Sequence, residues 1–235
     1  MPECHSTNSL LFDLAQKASL PDGTLLITNN QTLGRGQRGN SWEAEPGMNL
    51  TFSLLLTPYF LSSQEQFYLT IAISLGIHDF LSSRLPDNLK IKWPNDLMAD
   101  ERKIAGILIE NSLMGETIQQ SVVGIGLNVN QRIFSNATAT SMILEAGIEY
   151  SLSMELSQLV ERLENRYLQL RSGKALELKA DYLKNLFRMG ETHEFVSGGE
   201  RFTGKVQGID PIGKLKVSVN QTERSFGLKE ISFLK

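Results

Sequence analysis

Cysteine is almost absent from this chain of 235 residues: Cys4 stands alone, which excludes an internal disulfide and any cage of cysteine ligands around a metal. The three histidines, His5, His78 and His193, are scattered, so a histidine-rich zinc site is not expected. No G-x-S-x-G elbow occurs, and a Ser-His-Asp hydrolase therefore lacks its nucleophile turn. The amino-terminal residues Met1-Pro2-Glu3-Cys4-His5 carry neither the basic region nor the apolar stretch of a signal peptide, and no apolar run approaches the ~20 residues of a membrane helix. A cytoplasmic location without a membrane partner is expected. Charge of one sign is also lacking. With 23 basic against 26 acidic residues the net charge is −3, which gives no electrostatic case for binding nucleic acid. There is no internal repeat and no low-complexity segment.

What remains is an ordinary globular composition, 41% hydrophobic, long enough for one large domain of about 150 residues and an appendage. Ser6-Thr7-Asn8 precedes apolar residues at helical spacing (Leu10, Leu11, Leu14, Ala18) and reads as a helix start, ended by Pro21-Asp22-Gly23. Strands are expected at 24–28, 49–56, 89–93, 104–110 and 122–129, with a polar turn around 96–102. Ser62 and Glu65 have capping-box spacing before a helix that ends near Leu85-Pro86-Asp87. A long helix from Ser153 with Gly173 beyond its end and a second over 175–187 complete the first unit. After Phe187, frequent glycines punctuate short alternating strands, so 188–235 is expected to form a small β barrel. Its eight Lys and Arg against six Asp and Glu are too balanced to grip a polyanion by charge alone.

The densest chemistry lies in Gly34-Arg35-Gly36-Gln37-Arg38-Gly39-Asn40-Ser41-Trp42, three glycines, two arginines and an indole in nine residues. Glycine lets backbone approach a phosphate, arginine neutralises it, and an indole offers a face for a ring. The segment reads as an anion clamp. It also fits G-x-G-x-x-G, but a turn and a strand follow where a dinucleotide site needs a helix, and no acidic residue stands between Leu50 and Gln64 for the ribose. A solvated glycine loop is the plain alternative.

Four further clusters sit at expected strand ends or turns. Ser6-Thr7-Asn8 could face a small polar ring or merely cap a helix. Lys92-Trp93-Pro94-Asn95-Asp96 stops a strand at proline; singly, Lys92 reads as a strand-edge charge and Asp96 as a turn residue. In Arg102-Lys103-Ile104-Ala105-Gly106-Ile107-Leu108-Ile109-Glu110, Lys103 stands at the mouth of an apolar strand, placed either to hold a ligand or to lie in solvent. Gly124-Ile125-Gly126-Leu127-Asn128-Val129-Asn130 admits close backbone approach and offers amides that match an adenine edge, although a core strand ending in a turn would look the same.

In this order and spacing, from His5 to about Asn130, the five clusters resemble the biotin protein ligase family, with KWPND, RKIAGILIE and GIGLNVN as the specific segments. The resemblance implies an α+β fold: a mixed β-sheet flanked by helices, like class II aminoacyl-tRNA synthetases and lipoate ligases, over residues 1–187, then an SH3-like domain over 188–235. It implies a ligase that joins biotin and ATP into biotinyl-5′-adenylate with Mg²⁺, then passes biotin to a lysine of a biotin carboxyl carrier protein domain. A carboxylate must then attack a polyanion. Two unit charges about 4 Å apart interact by ~4 kcal/mol at an effective dielectric of 20, so positioned cations are required.

By the same resemblance, Arg35 spans carboxylate and phosphate, Lys103 lies against both, and Asp96 completes the catalytic set. Ser6, Thr7, Asn8 and Gln31, with Gly34, Gly36 and Gly106, surround biotin. Gln37, Arg38, Trp42, Asn95 and Asn128 face the nucleotide, and Asp96 is the candidate Mg²⁺ ligand, since that ion typically takes only one or two carboxylates. Many relatives show GRGRxGR, whereas Gln37 and Asn40 are uncharged here, leaving Arg38 as the loop's second cation. The chain begins five residues before the Ser-Thr-Asn trio, so the repressor domain of bifunctional relatives is not expected. Relatives differ in dimerisation, and a homodimer is compatible with the sequence. The competing readings are a lipoate ligase, a nicotinamide oxidoreductase and a non-catalytic binding module built on the carboxy-terminal barrel.

Overall fold

An apolar run becomes a fully buried strand only where both faces of its sheet are covered, and Leu50–Leu56 is buried at all of its positions. It is β4 in the order β1 (Glu3–Cys4), α1 (Thr7–Lys17), β2 (Thr24–Thr28), β3 (Asn30–Gln31), β4, α2 (Phe67–Ser82), β5 (Leu89–Lys92), β6 (Asp96–Ala99), β7 (Arg102–Met114) and β8 (Thr117–Leu127). There follow α3 (Met142–Ala146), α4 (Leu152–Arg171), α5 (Ala175–Lys184), β9 (Thr192–Ser197), β10 (Glu200–Ile209), β11 (Leu215–Val219), β12 (Thr222–Phe226) and β13 (Ser232–Phe233). The computed structural model describes residues 1–85 and 88–234, the Arg38 side chain excepted; the expected helix stop at Pro86-Asp87 lies outside the described residues.

The main sheet has the order β2-β4-β8-β7-β6-β5 and is antiparallel throughout. β1 and β3 form a short parallel ladder. Alternation of side chains splits the sheet into two faces. Leu50, Phe52 and Leu54 of β4 and Val123, Ile125 and Leu127 of β8 join the large core that α2, α4 and α5 cover, while Leu55 and Val122 pack with Leu11 of α1 on the other side. The α+β layering expected from the sequence is the one observed.

Two local expectations need correction. The stretch read as a polar turn contains β6, because Leu97, Met98 and Ala99 are buried and too short a run to register as a strand by periodicity. The chain therefore turns twice, through Trp93-Pro94-Asn95 and at Asp100-Glu101. The carboxy-terminal unit is a five-stranded antiparallel sheet, β12-β11-β10-β9-β13, with SH3-like character but no barrel closure among the described residues. Its apolar side continues the main core: Phe195, Val206, Leu215, Val217 and Phe226 belong to the same cluster as Leu75 and Phe80. At the capping box, Ser62 and Glu65 hold each other as expected, but across a single 3-10 turn immediately ahead of α2.

Candidate active site

Register sets the floor of the site. Residues paired across antiparallel strands share a face, and Thr51, Gly126, Gly106 and Asp96 are consecutive partners across β4, β8, β7 and β6, with Lys92 of β5 opposite Asp96. The neighbouring row is Ser53, Gly124 and Leu108. The face beside α1 is thus paved with glycine and small hydroxyl residues, and a cavity of about 570 Å³ opens above it.

Strict alternation would put Lys103 on the face opposite Gly106. The pairing of β6 with β7 instead slips between Leu97/Met98, so that Ala105 faces Leu97 and Lys103 faces Met98. Such a bulge re-aims a side chain. Ile104 goes into the core at 0% exposure, and Lys103 turns over Gly106, where a Cβ would lie 3.1 Å from its Nζ. There the Nζ stands 2.7 Å from Asp96 Oδ1, an ion pair not aligned as a hydrogen bond, and 5.4 Å from the centre of the Trp42 ring.

The glycine loop folds back over this floor. Trp42 N–H donates to the Gly34 carbonyl at 3.0 Å and Gly36 N–H to that of Asn40 at 2.7 Å, around one 3-10 turn at Gln37–Gly39. A side chain at Gly34 would collide with the Trp42 carbonyl at 2.4 Å. The indole rests on the glycine pavement so closely that a Cβ at Gly126 would come within 2.2 Å of it. Arg35 lines the cavity but is not a lone cation: its Nη2 lies 2.6 Å from Glu110 Oε1, and its Nη1 donates to Ser9 Oγ at 2.9 Å.

At the α1 end the polar groups form one network. Thr7 donates to Gln31 Oε1 through its N–H at 2.7 Å and its hydroxyl at 3.1 Å. The Ser53 hydroxyl lies 2.8 Å from Thr7 Oγ1 and donates to Asn8 Oδ1 at 2.6 Å. Asn8 Nδ2 donates to the Leu108 carbonyl and to Glu110. Ser6 is buried and makes no capping hydrogen bond, so the plain helix-cap reading does not describe it.

The fold therefore gathers Ser6, Thr7, Asn8, Gln31, Arg35, Gly36, Gln37, Trp42, Asn95, Asp96, Lys103 and Gly106 around one cavity. Gly34 lies behind the wall, where its value is conformational. Asn128 is also absent from the lining; buried, it donates from Nδ2 to the Thr140 carbonyl at 2.9 Å while its Oδ1 has no partner. The Arg38 side chain lies outside the described residues. Asn95 commits its Nδ2 to the Ile107 carbonyl at 2.7 Å. Among the described residues no trio of His, Cys, Asp and Glu is grouped to hold a metal unaided.

Sequence reasoning singled out Gly124 and Gly126 for close backbone approach, which the structure bears out, but missed Ser53 beside them. It also missed Leu228, Lys229 and Ile231 to Phe233, by which the carboxy-terminal unit walls the cavity. Only register could have found Ser53, and nothing local marks the carboxy-terminal residues. That unit is held by the KWPND segment itself, since buried Trp93 donates its indole N–H to the Gly213 carbonyl at 2.8 Å.

The sequence profile of the biotin/lipoate A/B protein ligase family matches residues 2–128. The chain belongs to that family. The matched span of this ligase-family member carries almost every cavity residue except those from the carboxy-terminal unit. It is 30% identical over 220 residues to the biotin--[acetyl-CoA-carboxylase] ligase of Mycobacterium tuberculosis, covering 91% of this chain and 80% of that protein. A bifunctional ligase/repressor of Bacillus subtilis is 27% identical over 231 residues, 96% of this chain and 69% of that one. A solved biotin protein ligase from Aquifex aeolicus, in complex with biotin and ATP, superimposes with a TM-score of 0.83 at 25% identity and covers 100% of this chain and 97% of that one. The likeness extends through the carboxy-terminal sheet, beyond the profile's match. No helix among the described residues is long and apolar enough to cross a membrane.

Proposed function

We propose that this family member is a biotin protein ligase that activates biotin with ATP and transfers it to a lysine of a biotin carboxyl carrier protein domain. The observation that carries the reading is the bulge-directed placement of Lys103 over the Gly106 and Gly126 floor, within the same cavity as Arg35 and the Thr7-Gln31-Ser53 network. A polar bicyclic ring fits the network end, and its valerate tail runs along bare glycine backbone toward the cations. Among the described residues, Arg35, Lys92, Lys103 and Lys229 line the cavity against one carboxylate, Asp96. That balance suits a substrate pair bearing a carboxylate and a triphosphate.

In the first step a carboxylate oxygen of biotin attacks the α-phosphorus and pyrophosphate leaves. Lys103, fixed by Asp96 and packed against Trp42, stabilises the charge shared between the two groups, and Arg35 supplies the second cation. In the second step a neutral acceptor amine attacks the mixed-anhydride carbonyl, AMP leaves, and Asp96 helps take the amine proton. Trp42 covers the nucleotide, Gln37 and Asn95 border the phosphates, and buried Asn128 acts through the backbone at Thr140. Asp96 and Asn95, which both line the cavity, would hold Mg²⁺, which would supply positive charge to the leaving pyrophosphate. Residues 1–187 form the catalytic unit and 188–235 an accessory wall.

The lipoate alternative is disfavoured by the polar end of the cavity, because a dithiolane offers the Thr7-Gln31-Ser53 network nothing to hydrogen-bond. Incubation with biotin, MgATP and a carrier domain is expected to add one biotinyl mass to the carrier, read by intact-mass measurement. Labelled lipoate should not compete. No mass increase, or lipoylation in its place, overturns the proposal.

A further inference from the structure

Glu110 closes the RKIAGILIE segment and lies behind the cavity wall rather than in it. Its carboxylate nonetheless gathers both sides of the site. Oε1 lies 2.6 Å from Arg35 Nη2, and Oε2 accepts from Arg35 Nη1 at 3.3 Å and from Asn8 Nδ2 at 3.0 Å. Register explains the placement, because Glu110 is the partner of Val122, one pair beyond Leu108 and Gly124 on the cavity face. Ser9 supplies the remaining contact to the same guanidinium at 2.9 Å.

An exposed ion pair between two long side chains is worth little by itself. Here the geometry is two-pronged, and one acceptor is shared with an amide whose own oxygen is held by Ser53. A planar guanidinium held at both terminal nitrogens has its plane and direction set.

We infer that Glu110 is a positioning residue, which locks the Arg35 guanidinium at the cavity rim and couples it to the Asn8-Ser53-Thr7 network that receives the ring. The inference rests on the proposed ligase function and deepens it. It assigns to the last residue of RKIAGILIE the task of keeping the glycine loop's cation aligned with the polar pocket, so that the two ends of biotin are recognised together.

The test compares Glu110→Gln, Arg35→Gln and the double variant of the full chain in biotin-dependent pyrophosphate exchange. Loss of one charge-assisted contact predicts a biotin KM raised ~10-fold in Glu110→Gln with kcat changed less than about 3-fold, the pattern of lost ground-state positioning. In the Arg35→Gln background the same change should raise the KM by less than about 3-fold, because the group it positions is gone. Trypsin cleavage at Arg35 should also be faster in Glu110→Gln than in the parent, without ligand. A biotin KM within about 2-fold of the parent, or effects of the two substitutions that multiply independently, overturns the inference. If Glu110→Gln does not fold, Glu110→Asp takes its place, since a chain one methylene shorter cannot span Arg35 and Asn8 together. In every case the parent's exchange activity is measured first: its absence rejects the ligase function, whereas its presence with an unaffected variant rejects only the role of Glu110.

Discussion

At the scale of single residues, the proposed chemistry rests on two cations. Lys103 is held in one place by Asp96 at 2.7 Å and by the indole above Gly106, so its charge is in position before substrate arrives. Lys103→Ala should lower biotin-dependent pyrophosphate exchange by ~10²-fold or more, as for removal of a preorganised charge; near-normal exchange would contradict the assignment. Arg35→Ala should weaken biotin and the adenylate together in calorimetric titrations, and an unchanged affinity for both would count against the clamp. Gln37, uncharged, lines the same cavity. Gln37→Arg is expected to slow escape of the adenylate, seen as less labelling of bystander amines in the absence of a carrier.

At the scale of elements, the site depends on strands that present backbone instead of side chains. Gly124 and Gly126 could be read in the sequence as glycines that admit a close approach, but not what approaches them. The pairing of Gly126 with Thr51 and Gly106, and the seat it gives Trp42, exist only in register. Gly126→Ala would place a methyl 2.2 Å from the indole, and the rigid β8 cannot retreat. The loop should lift, shifting tryptophan emission to longer wavelength and reducing exchange by up to ~10²-fold, the scale of a misplacement near 1 Å. Unchanged emission and exchange would show that the indole has another seat in solution. The bulge at Lys103 was equally hidden, since β6 is too short for periodicity to reveal it. α1, by contrast, was legible from Ser6-Thr7-Asn8 and its apolar spacing, and β2 matched its expected span.

At the scale of the whole molecule, the two units share one apolar core and one cavity. Trp93 links them by its hydrogen bond to Gly213, and Trp93→Phe should cost about 1–3 kcal/mol by leaving a buried carbonyl unpaired, read by chemical denaturation. α2 carries a second consequence of burial: His78 is pushed below its usual 6.5 mainly by desolvation, which outweighs the opposing pull of Asp79. A neutral imidazole in the fold binds fewer protons than the unfolded chain does, so stability is unaffected above 6.5 and falls as the pH drops below it. Melting temperature should decline below about pH 6.5, and His78→Gln should flatten that decline.

The identity and order of the reactive clusters, the helix starts and the spans of β2, β4 and β5 to within a residue were determined by the sequence alone, because those features follow from local composition and periodicity. Tertiary structure decided which face Lys103 occupies, why glycines pave the floor, that Glu110 pairs with Arg35, and that residues 228–233 wall the cavity. Each of these depends on register or on contacts between distant segments, where a shift of one residue exchanges the two faces of a strand. No local pattern encodes that choice.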